Sequence, residues 1–112
     1  MGIDVEVDRS AAGAVVRVQG EVDLATAPEL DEVLAAIDAS DGPVVVDLSE
    51  VSFLDSSGLS VLVRSHQHLR SSGGEGLRLV VTRPATQRVL DATGLSEVFE
   101  VFASRAEATG GR

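Results

Sequence analysis

The sequence predicts an α/β fold: a single mixed, mostly parallel β-sheet of four to five strands with an N-terminal hairpin, covered by about four helices. Three observations carry this. Two strand-like segments follow each other directly at the N-terminus. Further strand-like segments at 44–48 and 77–81 are each separated from the preceding strand by a stretch with helical spacing. The segment at 44–48, Val44-Val45-Val46-Asp47-Leu48, is apolar on both faces, the mark of a central strand covered on two sides. Strands alternating with helices imply parallel pairing, and the opening hairpin adds an antiparallel edge.

Each element has a local reason. Ile3-Asp4-Val5-Glu6-Val7-Asp8 alternates apolar and polar residues, as a strand with one wet face does. Ala12-Gly13 supplies a turn, and residues 14–20 form the second strand of the hairpin. Thr26-Ala27-Pro28-Glu29 fits a capping box: Thr26 caps free N–H groups, Glu29 reaches back, and Pro28 is at ease in a first turn. Leu30, Val33, Leu34 and Ile37 follow as one apolar stripe, and Asp41-Gly42-Pro43 ends that helix. After Asp55, a second helix lines up Leu59, Leu62, Val63, His66 and Leu69, and Ser71-Ser72-Gly73-Gly74-Glu75-Gly76 stops it. Residues 84–93 predict a short helix with Gly94 as its C-terminal stop. Residues 98–102 predict an edge strand and 104–108 a last helical turn, with Gly110-Gly111-Arg112 frayed.

The 112 residues suit a single domain with one core. Its bounds are residues 1–112, with the core over 3–102 and a short terminal helix and tail over 103–112. There is no internal repeat and no long linker. The formal net charge is -9, and all nine basic residues are Arg. That balance argues against nucleic acid or an anionic membrane as partner, since both need basic patches. The absence of Lys removes Schiff-base chemistry and the phosphate-loop lysine; the absence of Cys removes disulfides and thiolate nucleophiles. No apolar run approaches the ~20 residues of a membrane span, and no signal-peptide core follows Met1. The expectation is a cytoplasmic protein.

The chemistry concentrates in Phe53-Leu54-Asp55-Ser56-Ser57-Gly58-Leu59. Here a strand ends in a turn that starts a helix, so two serines and an aspartate sit at a helix tip with unpaired N–H groups. The plain reading is a cap: Asp55 as N-cap, the serines filling the first turn, Gly58 allowing close packing. The functional reading adds a phosphate to a serine. It brings about 1.5–2 negative charges, which a helix start tolerates, while a partner docked over the tip meets a bulky dianion beside Asp55.

These residues also carry a family resemblance. Gly20-Glu21-Val22-Asp23, the strand 44–48, and Val51-Ser52-Phe53-Leu54-Asp55-Ser56-Ser57-Gly58-Leu59 resemble the signature of STAS-domain anti-sigma factor antagonists. Gly73-Gly74 before Leu79-Val80-Val81, and Leu90-Asp91-Ala92-Thr93-Gly94-Leu95, resemble the later segments of that family, so the likeness runs from the first strand to Phe102. The resemblance implies a STAS-like fold and a partner-switching role. In its dephosphorylated form such a protein binds an anti-sigma factor that is also a serine kinase with a histidine-kinase-like ATP-binding fold, and the sigma factor is released. The kinase phosphorylates the antagonist, the complex dissociates, and a PP2C-type phosphatase restores the binding form. Carried over by position, Ser56 is the phosphorylation site, and Asp23, Asp55, Ser56, Ser57 and Gly58 form the partner-binding surface. Asp55 orients the acceptor, Gly58 lets the partner backbone approach, and Asp23 lines the same end of the sheet. An aspartate in that position is also an ordinary turn former.

Other chemistries fit less well. His66 and His68 are two apart and diverge on a helix, without metal-ligand spacing, so His66 is read as a boundary residue of the core stripe. A serine hydrolase lacks G-x-S-x-G, and the histidines lie more than two helical turns beyond Ser56, too far for proton transfer. Gly73-Gly74-Glu75-Gly76 lacks a phosphate-loop pattern. No metal, cofactor or catalytic residue is implied. The expected function is therefore a non-enzymatic anti-sigma factor antagonist. Its alternatives are a STAS scaffold subunit of a larger signalling assembly, or a small-molecule or lipid-binding STAS module.

Overall fold

Strands β1 (Ile3–Ser10) and β2 (Gly13–Val22) form the antiparallel hairpin, in register from Ser10 opposite Gly13 to Ile3 opposite Gly20. The structure, a computed structural model, describes residues 2–11 and 13–110; Ala12 of the predicted turn, and Gly111 and Arg112 of the predicted frayed tail, lie outside the described residues. The chain continues through α1 (Ala27–Ala35), β3 (Val44–Leu54), α2 (Ser56–Ser71), β4 (Leu77–Val80), α3 (Pro84–Thr93), β5 (Glu100–Phe102) and α4 (Arg105–Ala108). The five strands lie in sequence order, β1-β2-β3-β4-β5, and every pair after the hairpin is parallel. The predicted α/β sheet with its hairpin and four helices is the observed one.

The core lies between one face of the sheet and helices α1 to α3. Ala14, Val16 and Val18 of β2, Val44, Val46 and Leu48 of β3, and Leu77 and Leu79 of β4 point into it. Leu30 and Leu34 of α1, Leu59, Leu62 and Leu69 of α2, and Leu90 of α3 meet them. The opposite face carries a smaller apolar cluster: Val45 and Val80 beneath Ala108 of α4, with Val15 and Phe102 alongside. Central strand β3 is thus covered on two sides, as its composition predicts, but the second cover is a four-residue helix. Asp47 is buried on that side and pairs with Arg105 of α4. Gly94 closes α3 with φ +78°, a backbone conformation open mainly to glycine.

Three local expectations are corrected. The capping box at 26–29 does not form: Thr26 makes no side-chain bond to the start of α1. Its hydroxyl turns inward instead, donating to the Glu21 carbonyl at 2.8 Å and accepting from the Asp23 N–H at 2.9 Å. Helix α1 stops at Ala35, and a separate short turn over Ala39–Asp41 carries the chain to Pro43. That turn has a capping box of its own, with the Asp38 carboxylate accepting from the Ser40 N–H at 2.9 Å and Asp41 from the Asp38 N–H at 3.0 Å. Strand β3 does not end at Leu48 but runs on to Leu54.

Candidate functional site

The extension of β3 builds the site. Beyond Asp47, β3 leaves β4 behind and pairs only with β2: Gln19 with Glu50, Gly20 with Val51, Glu21 with Phe53 and Val22 with Leu54, with two irregularities in register. Because the two strands are parallel and finish level, the next residues, Asp23 and Asp55, leave the sheet side by side. This is the carboxyl end of the parallel strands, where α/β sheets present their binding residues.

At the Asp55 corner the backbone is extended and the carboxylate caps α2, accepting from the Ser57 N–H at 2.8 Å and the Gly58 N–H at 3.4 Å. The Asp55 N–H donates to the Val22 carbonyl at 3.2 Å, which ties the start of α2 to the end of β2. Ser56 is the first residue of α2 and is exposed; Ser57 and Asp55 are half-buried. The hydroxyl of Ser56 therefore stands on a fixed base, at the positive end of a sixteen-residue helix.

Asp23 forms a matching corner. Its carboxylate accepts from the Ala25 N–H at 3.0 Å and the Thr26 N–H at 3.1 Å, and its carbonyl accepts from the Ala27 N–H at 2.8 Å. The turn-forming role is thus real, and it also fixes Asp23 next to the Asp55 corner. Gly58 shows the close packing expected of the cap. It is buried, and a Cβ built on it lies 2.6 Å from Leu54 Cδ1 and 2.7 Å from Val22 Cγ1. Its missing side chain makes room for this chain's own strand ends.

The two histidines separate as their spacing predicts. His68 is exposed, whereas His66 is buried, accepts the Leu77 N–H on Nδ1 at 3.0 Å, and meets Phe99 edge to face at 5.0 Å. Burial, helped by Arg70, pushes its pKa below the usual histidine range. With Nδ1 occupied as an acceptor deep in the packing, His66 is a structural residue.

Sequence reasoning passed over the apolar rim of the site. Leu24, on the turn after Asp23, is 78 % exposed, and Phe53, near the end of β3, is 51 % exposed. Both fall where the apolar periodicity changes from strand to turn, and apolar residues off the period are the signal that marks them. Arg64, two turns along α2 from Ser56, faces Asp31 of α1 across a groove at 3.3 Å.

Comparison with known proteins places this arrangement. The chain matches the STAS domain family over residues 3–108. It is 35 % identical to the anti-sigma-B factor antagonist of Listeria monocytogenes over 112 residues, covering 98 % of this chain and 97 % of that protein. It is 35 % identical over 100 residues to the anti-sigma-F factor antagonist RsfB of Mycobacterium tuberculosis, covering 88 % and 80 % of the two chains. The crystal structure of an anti-sigma factor antagonist from Mycobacterium paratuberculosis superposes with a TM-score of 0.86 at 34 % identity, covering 97 % of this chain and 92 % of that one. In sequence and in fold alike, the chain belongs to the STAS domain family, among relatives named anti-sigma factor antagonists.

Proposed function

We propose that this protein is a cytoplasmic, non-enzymatic anti-sigma factor antagonist switched by phosphorylation at Ser56. Unmodified, it binds an anti-sigma factor serine kinase with a histidine-kinase-like ATP-binding fold, and so releases the sigma factor. Phosphate on Ser56 ends that association, and a PP2C-type phosphatase renews it. Asp23, Asp55, Ser57 and Gly58 complete the partner-binding surface. The names of the relatives support the antagonist role. The observation that carries the switch is the exposed Ser56 hydroxyl at the first position of α2, beside the Asp23 and Asp55 corners.

The physics is asymmetric between fold and complex. A phosphate at a helix start gains roughly 0.3–1 kcal/mol from the dipole and the N–H groups there. The folded protein accepts it. A partner seated over the tip has to desolvate or displace a dianion that lies beside two carboxylates. A loss of even ~3 kcal/mol weakens such a complex more than a hundredfold.

The test uses each anti-sigma factor kinase encoded in the chain's own genome, purified and incubated with this protein and ATP. Mass spectrometry is expected to map the phosphate to Ser56. Ser56→Ala binds permanently and Ser56→Asp binds poorly. Phosphate on another residue, or none with a kinase shown to be active, refutes the proposal.

A further inference from the structure

Single exposed leucines are common on protein surfaces and need no explanation. Leu24 differs in two respects. Its backbone is held from both sides. The Asp23 carboxylate takes the N–H groups of Ala25 and Thr26, and the Thr26 hydroxyl bridges from the Asp23 N–H to the Glu21 carbonyl. The backbone that carries Leu24 is therefore already ordered before a partner docks. It also forms a wall of the shallow groove between the starts of α1 and α2, with Pro28, Ser57, Val61 and Arg64 on the other sides. That groove adjoins the Ser56 tip.

We infer that Leu24 is the apolar anchor by which the anti-sigma factor recognises this chain, inserting into an apolar pocket bordered by basic side chains on the partner. This rests on the function proposed above and adds to it a residue that sets affinity and partner choice. Charge gives the chemistry of the pocket rim. Asp23 and Asp55 form the two corners, and Glu21 lies in β2, two residues before Asp23. On the groove wall Arg64 and Asp31 pair with each other and leave no net charge, so the uncompensated charge at this end is negative. A surface that meets this rim needs positive charge around the apolar centre. Binding energy concentrates in well-packed, fully desolvated side chains near the middle of an interface, so the anchor role requires a partner pocket that encloses Leu24 closely.

The experiment measures Kd by calorimetry for unmodified protein against the same purified anti-sigma factors, with Leu24→Ala, Leu24→Met, Leu24→Lys, Val98→Ala and Ser56→Asp. Leu24→Ala is expected to weaken binding at least tenfold with an unchanged thermal midpoint, since the side chain is exposed. Leu24→Lys weakens it further, by repulsion from the basic rim. Leu24→Met stays within about threefold, which separates loss of the anchor from loss of the fold. Val98→Ala, an exposed apolar control, stays within twofold. If Leu24→Ala binds within twofold of the unaltered chain while Ser56→Asp abolishes binding, the anchor is wrong and the switch stands. If the unaltered chain binds none of the purified anti-sigma factors, anchor and switch both fall.

Discussion

The carboxylate of Asp55 fixes the residue that follows it by satisfying two N–H groups of the first turn of α2. Asparagine caps nearly as well as aspartate, whereas alanine forfeits the bond at a cost of about 1 kcal/mol. Urea unfolding is therefore expected to show Asp55→Asn close to the unaltered protein and Asp55→Ala lower by about that amount. His66 makes a second residue-level prediction. Its Nδ1 accepts from Leu77, so the neutral ring is the form that fits, and its folded pKa lies below the ordinary value. The unfolded chain then binds the proton more readily, and stability falls as the solution becomes more acidic. The contribution is complete above the unfolded pKa of about 6.5 and is lost as pH drops from there through the lower folded value. Urea midpoints at pH 7 and pH 5 are expected to show this decline. His66→Phe, which leaves the buried Leu77 N–H without its acceptor, is less stable at pH 7 but has a flatter profile across that interval. An equal slope in both proteins argues against His66 as its source.

Among the elements, α4 is held to the sheet by an ion pair, a hydrogen bond and the packing of Ala108. Arg105 reaches Asp47, buried on the second face of the sheet, while Arg78 holds the C-terminal end of the helix by donating to the Ala108 carbonyl at 2.8 Å. Burial alone raises the pKa of Asp47, but hydrogen bonds from Ser49 and Arg105 outweigh it, and the carboxyl stays below its ordinary value. Its contribution is therefore present above a pH of about 3.9 and lost as acid carries the pH down through the folded value. Arg105→Met is expected to cost about 2 kcal/mol by urea unfolding. That is less than the ~3–5 kcal/mol of a fully buried pair, because the arginine is itself partly in water. Neither partner was legible in the sequence, since 58 residues separate them and Asp47 reads only as a break in an apolar run. The helices α2 and α3 and the hairpin were legible because apolar period and stop residues agree there. The sequence marks strand β3 only as far as Leu48 for a physical reason. Past Asp47 it pairs with β2 alone, exposes Glu50, Ser52 and Phe53, and so shows no clean alternation. The Thr26 capping box failed because a tighter demand, closing the Asp23 turn, takes up the same hydroxyl. Ser56 was legible because the cap, the acceptor and the helix start are contiguous in sequence. The adjacency of Asp23 and Asp55 came from the strand register, which spacing alone does not fix.

At the scale of the whole molecule, the proposed switch has to change what the protein binds without changing what it is. The sheet, its apolar core and the two corners are assembled by contacts that do not involve the Ser56 side chain, which stands in solvent. Modification adds charge to a chain with a net charge of -9, and general self-repulsion rises slightly. Locally the same charge sits at the positive end of α2, and the two effects oppose each other within about 1 kcal/mol. The protein phosphorylated at Ser56 is therefore expected to unfold in urea within about 1 kcal/mol of the unmodified form, with the same slope and an unchanged far-UV spectrum. On the function proposed above, its affinity for the anti-sigma factor is expected to fall more than a hundredfold. Salt separates the two causes of that fall. Long-range repulsion is screened as ionic strength rises, with a Debye length of about 8 Å at 0.15 M and about 3 Å at 1 M. A phosphate that is seated under the partner blocks docking at any salt. Measured at 0.05 M and 1 M sodium chloride, the ratio of the two affinities is expected to stay above tenfold at the higher salt. A ratio that collapses to one would assign the switch to the overall field of the molecule instead of to the tip of α2.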